Sequence, residues 1–190
     1  METLWNFIQS NKNNIWGQNS EWFWTMVQAI VVGLTLYFIY KQIKIQRASN
    51  MLATLNALTV RWESDSMRKA RVEVCQQFLA NNLNIDNDNT VRILLFFEEL
   101  GLYYKKKVID TDILWDMYDH RIQTCWDVLE PLISEYRAHL KDDTYYDKFE
   151  YMVNELQKYS EKQGLTVKPK TTIEKRKYAE LTVKALTAQS

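Results

Sequence analysis

Two charged side chains stand where the surrounding sequence pattern is apolar. Glu98 lies four residues from both Leu94 and Leu102 on one predicted helical face, and Arg121 interrupts the apolar face of the next helix in the same way. A buried carboxylate without a partner costs several kcal/mol, so each of these residues needs a partner. They predict one of two arrangements: a bidentate Glu98–Arg121 ion pair that fixes helix register, or a polar ligand pocket that uses one or both.

The sequence contains none of the motifs that would turn these residues into a catalytic site. It has no Gly-rich phosphate loop, CxxC, HExxH, GxSxG or Glu-x-x-His pair, and the whole chain has 4 glycines. His120 and His139 lie about five turns apart on one predicted helix. Asp116 precedes His120 by four residues, but a solvated or hydrogen-bonded histidine explains that spacing better than a metal ligand. We therefore expect no enzymatic activity, no cofactor and no metal site.

Three consecutive lysines, Lys105, Lys106 and Lys107, end the predicted helix that carries Glu98. Clustered lysines beside a membrane attract lipid headgroups and phosphorylated ligands. Cations at a helix C-terminus also complement the negative end of the helix dipole, which explains them without any ligand. The candidate ligand-binding residues are accordingly Glu98, Arg121 and the three lysines.

The element that decides where these side chains act is an uncharged stretch near the N-terminus. Residues 22–40, WFWTMVQAIVVGLTLYFIY, hold only three clearly polar side chains, Thr25, Gln28 and Thr35. As a helix the stretch is about 28 Å long, which matches the hydrocarbon core of a bilayer. Tryptophans open it and tyrosines close it, as in the aromatic belts at the two headgroup levels. The pattern predicts a transmembrane helix over 22–40.

Charge is strongly segregated around this stretch. Three basic residues between 41 and 47 follow it directly, while Lys12 is the only basic residue before it. By the positive-inside bias the C-terminal part is cytosolic and residues 1–21 are extracytoplasmic. Residues 72–163 carry 10 Lys and Arg against 18 Asp and Glu. An acidic domain of this kind argues against nucleic-acid binding.

The predicted fold class is all-α, because helical periodicity continues after the stretch and no β-hairpin signal interrupts it. The transmembrane helix continues into a juxtamembrane helical stalk and then a four- or five-helix bundle. Within the bundle we expect Pro131 to kink or interrupt a long helix, and a later helix over 143–162. The predicted segments are the extracytoplasmic N-terminus 1–21, the span 22–40, the stalk 41–63, the acidic cytosolic domain 64–163 and a basic tail 164–190 that is a marginal helix or mobile.

Two sequence features favour self-association. Within the span, Ala29 and Gly33 are small residues four apart, which permits close helix approach, and Gln28 can hydrogen-bond a partner helix. In the stalk, Leu52 and Leu55 belong to a stripe at coiled-coil spacing that runs from residue 45 to residue 62. The same stripe can instead pack on the protein's own domain.

The run FFEELG, Phe96 to Gly101, is followed by a Tyr- and Lys-rich helix end, an acidic connection, Trp126 and Pro131. In these features residues 60–155 resemble a family of small bacterial single-span membrane proteins with a helical cytosolic domain of unknown function. The resemblance implies a bacterial inner-membrane protein that is not an established enzyme. It also implies an association with envelope signalling or with mobile-element and phage-defence loci.

Two functions are consistent with these features. The first is a non-enzymatic single-pass membrane protein that presents a cytosolic helical interaction or signalling module and self-associates. The alternative is a ligand-gated membrane-perturbing effector, such as one of a bacterial phage-defence system, with the helical domain as sensor. Expected partners are the lipid bilayer, a second copy of the chain, and an unidentified cytosolic protein or small anionic ligand. The expected location is the cell inner membrane, with the N-terminus outside and the C-terminus in the cytosol.

Overall fold

The structure is a computed structural model that describes Asn6, residues 21–165 and residues 170–188. Over these residues the protein is all-helical and has no strand, as the sequence predicts. The predicted extracytoplasmic segment 1–21 lies outside the described residues, apart from Asn6 and Glu21. The described ranges contain the helices α1 Glu21–Trp62, α2 Asp65–Leu79, α3 Asp88–Lys105, α4 Thr111–Leu140, α5 Asp147–Lys162 and α6 Thr172–Thr187.

The chain divides into two compact units, Met1–Asn50 and Met51–Ser190. In the first unit the described backbone belongs almost wholly to α1, which by length and composition is long and apolar enough to cross a membrane. Its most apolar window has a mean hydropathy of 1.7, and none of that window is buried. This is the element that the uncharged sequence 22–40 predicts.

The two threonines of the uncharged stretch are satisfied inside the helix. The Thr25 hydroxyl donates to the Glu21 carbonyl at 2.7 Å, and the Thr35 hydroxyl donates to the Val31 carbonyl at 2.8 Å. Each bond returns to a residue four positions earlier, which is the usual way for threonine to satisfy its hydroxyl within a helix. Neither hydroxyl therefore needs water or another chain as a partner.

The second unit begins inside the segment that the sequence analysis assigns to a stalk. From Met51 onward α1 packs on the bundle, and Leu55, Leu58 and Trp62 are buried in its core. The coiled-coil stripe is therefore divided, because Leu52 is 61% exposed while its neighbour one turn later is buried. Leu55, which the stripe assigns to an oligomer interface, instead packs against this chain's own domain.

The bundle core is aromatic where α3 meets its neighbours. Phe97 of α3 stacks on Phe149 of α5, with ring centroids 4.7 Å apart and planes at 11°. Trp126 of α4 meets the same Phe149 ring edge-on at 5.0 Å. Trp62 at the end of α1 contacts Phe97 at 5.4 Å. Since these rings come from four helices, their burial joins α1, α3, α4 and α5 in one core.

Helix α5 begins at Asp147, four residues later than predicted, because a local turn competes for the preceding backbone. The Asp142 carboxylate accepts hydrogen bonds from the Thr144 N–H at 2.9 Å and the Thr144 hydroxyl at 2.7 Å. Tyr146 then adopts a left-handed conformation, with φ of 57°. Side chains that bond nearby backbone in this way favour turns over helix.

Helix α4 continues through Pro131 without interruption. Proline has no N–H, so the carbonyl four residues earlier, that of Asp127, loses its partner within the helix. Lys175 of α6 donates its ammonium to that carbonyl at 2.5 Å. The expected interruption is therefore absent, and a tertiary contact satisfies the carbonyl that the proline leaves free.

The basic segment after Gly164 is helical where the structure describes it from Thr172 onward. Thr171 and Glu174 form a full capping box at the start of α6. Ala179 is buried, and Arg176 donates to the Leu79 carbonyl at the end of α2 at 2.7 Å. Of the two alternatives for the tail, the structure has the helix, and α6 packs on α2 and α4.

We expect Lys175→Met to loosen α6, because the Asp127 carbonyl loses its charged donor. The predicted loss is about 1–2 kcal/mol in the free energy of unfolding, with faster amide hydrogen exchange in α6. Lys177→Met, at an exposed position of the same helix, is the matched control and should change neither quantity. Equal exchange rates in the two variants would contradict the assignment.

Candidate functional site

Glu98 caps the N-terminus of α5 from the neighbouring helix. Its Oε2 accepts the backbone N–H groups of Lys148 at 3.1 Å and Phe149 at 3.0 Å. These two residues lie in the first turn of α5, where backbone N–H groups have no partner within the helix. The α5 cap residue, Tyr146, makes no side-chain capping bond. A carboxylate on α3 therefore acts as the N-cap of α5, a role that a Ser, Thr or Asp at the cap position usually has.

An ion-pair network surrounds this cap. Lys148 Nζ lies 3.1 Å from Glu98 Oε1 and also bonds the Asp147 carboxylate. Lys105 Nζ lies 3.8 Å from Asp147 Oδ2. The hydrogen bonds that Lys148 donates to Asp147 and then to Glu98 raise the pKa of Lys148, and the same bond to Asp147 lowers the pKa of Asp147. Two carboxylates and two ammonium groups balance in charge.

Arg121 lies in a different cluster, so the predicted Glu98–Arg121 ion pair is wrong. Its Nη2 is 3.5 Å from Glu63 Oε1, and its guanidinium lies 6.0 Å from the Trp62 ring centre and 5.7 Å from that of Tyr118. The helix faces predicted both residues to need partners, and both have them. Which partner each one meets depends on how the helices pack.

The three lysines at the end of α3 do not act as one group. Lys105 joins the network above and lies 5.5 Å over the Tyr151 ring. Lys106 ends the helix, with its N–H bonded to the carbonyls of Leu102 and Tyr104. Lys107 adopts a left-handed conformation, with φ of 55°. All three side chains are exposed, so a role for them in ligand binding stays a prediction.

Gly101 permits the close approach of α3 and α5 at the same junction. A Cβ at this position would lie 2.3 Å from the Lys148 carbonyl oxygen and 3.0 Å from the Phe149 nitrogen. Within FFEELG, Glu98 caps α5, and Glu99 pairs with Arg61 of α1. Gly101 allows the backbones of α3 and α5 to approach closely. The other three residues of the run, Phe96, Phe97 and Leu100, are fully buried. The run FFEELG is therefore the part of α3 that contacts both α5 and α1.

A second arginine, Arg71 of α2, was missed by the sequence analysis. Its side chain is 14% exposed and its guanidinium lies 4.5 Å from the centre of the Trp62 ring. The signal was present, because Arg71 is four residues after Met67 and three before Val74, and both are buried. Arg71 thus interrupts an apolar helical face in the same way as Glu98 and Arg121.

Arg71 lines a cavity of about 50 Å³ beneath α6. Five of the described helices contribute to its wall, with Trp62 from α1, Arg71 from α2, Ile93 from α3, Cys125 from α4 and Tyr178 from α6. All of these residues belong to the second compact unit. At this cavity the end of α1 and the C-terminal helix α6 therefore line the same space.

Arg71 is the charged group of this cavity. Burial raises the pKa of Cys75 to about 11, and the pKa values of Cys125 and Tyr178 to about 12. These three groups are neutral at physiological pH. Burial also lowers the pKa of Arg71, an effect that the carboxylate of Glu63 opposes, but an arginine remains protonated under these conditions.

Among the described residues no three His, Cys, Asp or Glu side chains are grouped closely enough to hold a metal ion. His120 packs edge-on against the Tyr178 ring at 5.7 Å, and His139 is exposed. Cys75 and Cys125 are free thiols. The polar chemistry of the described residues consists of ion pairs, helix caps and the cavity lined by Arg71.

The fold and its polar groups define an all-helical domain preceded by one long apolar helix. The chain belongs to the family described as Domain of unknown function (DUF4760), whose family model matches residues 25–156. The match covers the whole of the region 60–155 for which the sequence resembles an uncharacterised family. No curated protein and no solved structure matches the chain.

Proposed function

We propose that the protein is a non-enzymatic single-pass membrane protein that holds a helical interaction or signalling module at the cytosolic face of a bacterial inner membrane. The observation that carries the proposal is the uncharged stretch 22–40 of α1, whose large apolar side chains are exposed almost throughout. A continuous apolar surface of this size is rare on proteins that meet only water. The internal bonds of Thr25 and Thr35 also suit a helix in lipid, where polar groups must be satisfied within the protein.

The flanking charges support the orientation. Lys41, Lys44 and Arg47 follow the stretch at its C-terminal end, where the positive-inside bias places the cytosol. Lys44 Nζ lies 5.6 Å over the ring of Tyr40, the last residue of the stretch. An aromatic ring beside a lysine suits the headgroup level of a bilayer. The acidic bundle then lies in the cytosol.

Self-association through α1 is part of the proposal. The Gln28 side chain is exposed and, unlike the hydroxyls of the two threonines of the stretch, makes no hydrogen bond among the described residues. Ala29 and Gly33 offer a small-residue surface on the adjoining face of α1, and a Cβ at Gly33 would meet nothing within 4 Å. Leu52 remains exposed and is available to a second copy. A glutamine in lipid gains from a hydrogen bond to a partner helix.

The test is performed on the full-length protein in bacterial membranes. We expect it to resist extraction at alkaline pH, to dissolve only in detergent, and to have the native mass of a defined oligomer. Gln28→Leu combined with Gly33→Ile should lower that mass by removing the interhelical bond and blocking close approach. Leu34→Ile, at an exposed position about 100–140° around α1 from Gln28, Ala29 and Gly33, is the control. Alkaline extraction of the protein would refute anchoring, and an unchanged mass in the double variant would refute association through this surface.

A second candidate, the ligand-gated membrane effector, is favoured by the position of the cavity. Trp62, which lines it, is the last residue of α1, the helix that carries the apolar stretch. A ligand in the cavity would therefore contact the C-terminal end of α1 as well as the other helices of the bundle. This function requires that the cavity bind a ligand.

A further inference from the structure

Three hydrogen-bond donors at the cavity beneath α6 lack acceptors. Trp62 Nε1, Arg71 Nε and Arg71 Nη2 are buried and have no hydrogen-bond partner within the described part of the chain. Trp62 is 2% exposed, so its indole N–H cannot turn to bulk solvent. Buried donors in native proteins are nearly always satisfied. Both residues line the same cavity, which therefore favours a ligand that brings acceptors.

The two arginine donors form one edge of the guanidinium. Nε–H and the Nη2–H beside it point in parallel and fit the two oxygens of a carboxylate bidentately. Glu63 does not occupy this edge, because its Oε2 lies 3.7 Å from Nη2, too far for a hydrogen bond. The other oxygen of Glu63 lies 3.5 Å from Arg121. One carboxylate is thus shared by two guanidinium groups, and a positive charge is left over.

The other residues that line the cavity restrict the charge and the size of the ligand. Val74, Ile93, Val128 and Leu129 line the cavity with apolar groups, and its cysteines and tyrosine are neutral. A dianion would bring more charge than Arg71 can balance in such surroundings. A volume of about 50 Å³ corresponds to about four water molecules, or to an acid of about four to six non-hydrogen atoms.

We propose that this cavity binds a short-chain monocarboxylate. Its carboxylate accepts from the Nε–Nη2 edge of Arg71 and from the indole N–H of Trp62. Its short alkyl chain lies against the aliphatic wall formed by α2, α3 and α4. Because five helices line the cavity, the bound acid ties α6 and the end of α1 to the bundle. The inference does not rest on membrane anchoring, so its failure would leave the extraction result unaffected.

The test measures thermal stability of the detergent-solubilised full-length protein at pH 7.5 and constant ionic strength. We expect sodium propionate, and more weakly acetate, to raise Tm saturably, since a ligand that binds only the folded state stabilises it. Phosphate at the same concentration should not. A rise with phosphate but not propionate would overturn the assignment of a monocarboxylate, and no saturable rise with either acid would overturn the site.

Two substitutions locate the binding. Arg71→Met, which removes a buried charge, should abolish the rise in Tm with propionate. Arg71→Lys should weaken binding about tenfold or more, because an ammonium group cannot bind a carboxylate bidentately as a guanidinium does. Arg92→Met, at an exposed position on α3, is the matched control and should bind as the wild type does. If Arg71→Met does not fold, Trp62→Phe, which keeps a ring and loses the N–H, should weaken binding. Propionate binding that survives in a folded Arg71→Met protein would overturn the proposal.

Discussion

Replacing Gly101 by Ala is expected to destabilise the helical domain by at least about 3 kcal/mol, the upper end of the range for overpacked positions. The added Cβ would lie 2.3 Å from the carbonyl oxygen of Lys148 and 2.5 Å from its carbonyl carbon. These atoms are backbone, so relief requires α3 and α5 to move apart. That movement would disturb the Phe97–Phe149 stack and the Glu98 cap. Urea unfolding of the full-length protein, followed by circular dichroism, measures the loss.

The chain offers a matched control for this prediction. In a helix interior, Ala is favoured over Gly by about 1 kcal/mol, so propensity alone predicts stabilisation. Gly33→Ala makes the same exchange in α1, at a position where the new Cβ meets nothing within 4 Å, and should not lower the stability of the bundle. If Gly101→Ala unfolds at the same urea concentration as the wild type, the close approach of α3 and α5 is refuted.

Replacing Glu98 by Ala is expected to cost about 2–4 kcal/mol. The backbone N–H groups of Lys148 and Phe149 would lose their common acceptor, and each unsatisfied buried donor costs about 1–3 kcal/mol. Glu98→Gln should cost less, because its amide oxygen still accepts while the charge is lost. The same unfolding measurement gives the free energies, and amide hydrogen exchange at Lys148 and Phe149 reports directly on the cap.

The neighbouring carboxylate separates capping from simple loss of charge. Glu99 pairs with Arg61 near the surface and accepts a hydrogen bond from Tyr103. Exposed ion pairs are worth about 0–1 kcal/mol, so Glu99→Ala should cost no more than about 1 kcal/mol. It should also leave exchange at the start of α5 unchanged. If the two alanine variants lose the same stability, Glu98 does not act as the cap.

Much of the helical architecture could be predicted from local sequence. Helical periodicity gave the all-α class, and the uncharged stretch 22–40 predicted the apolar part of α1. Helix starts followed the capping residues, as at Thr171 with Glu174. The start of α5 was predicted four residues too early. Periodicity alone does not distinguish the Asp142–Thr144 turn and the left-handed Tyr146 from helix. Helical periodicity, an uncharged stretch and a capping box are local signals, so they can be recognised without knowledge of the packing.

The candidate site was predictable only in part. Position on a helical face showed that Glu98 and Arg121 need partners, and the same rule applied to α2 would have found Arg71. The identity of each partner was not predictable, because Lys148 lies 50 residues from Glu98, and Glu63 lies 58 residues from Arg121. A periodic pattern gives the face of a helix but not the residue that faces it.

By itself, the sequence determined the helical class, the long apolar segment and the few charged residues on apolar faces. These features depend on composition and on spacing within one helix. Only the tertiary structure decided that Leu55 packs in the core, that Lys175 satisfies the carbonyl opposite Pro131, and that Arg71 and Trp62 share a cavity. Those outcomes depend on distances between helices, which follow from the packing of the whole core, and no local stretch of sequence contains that information.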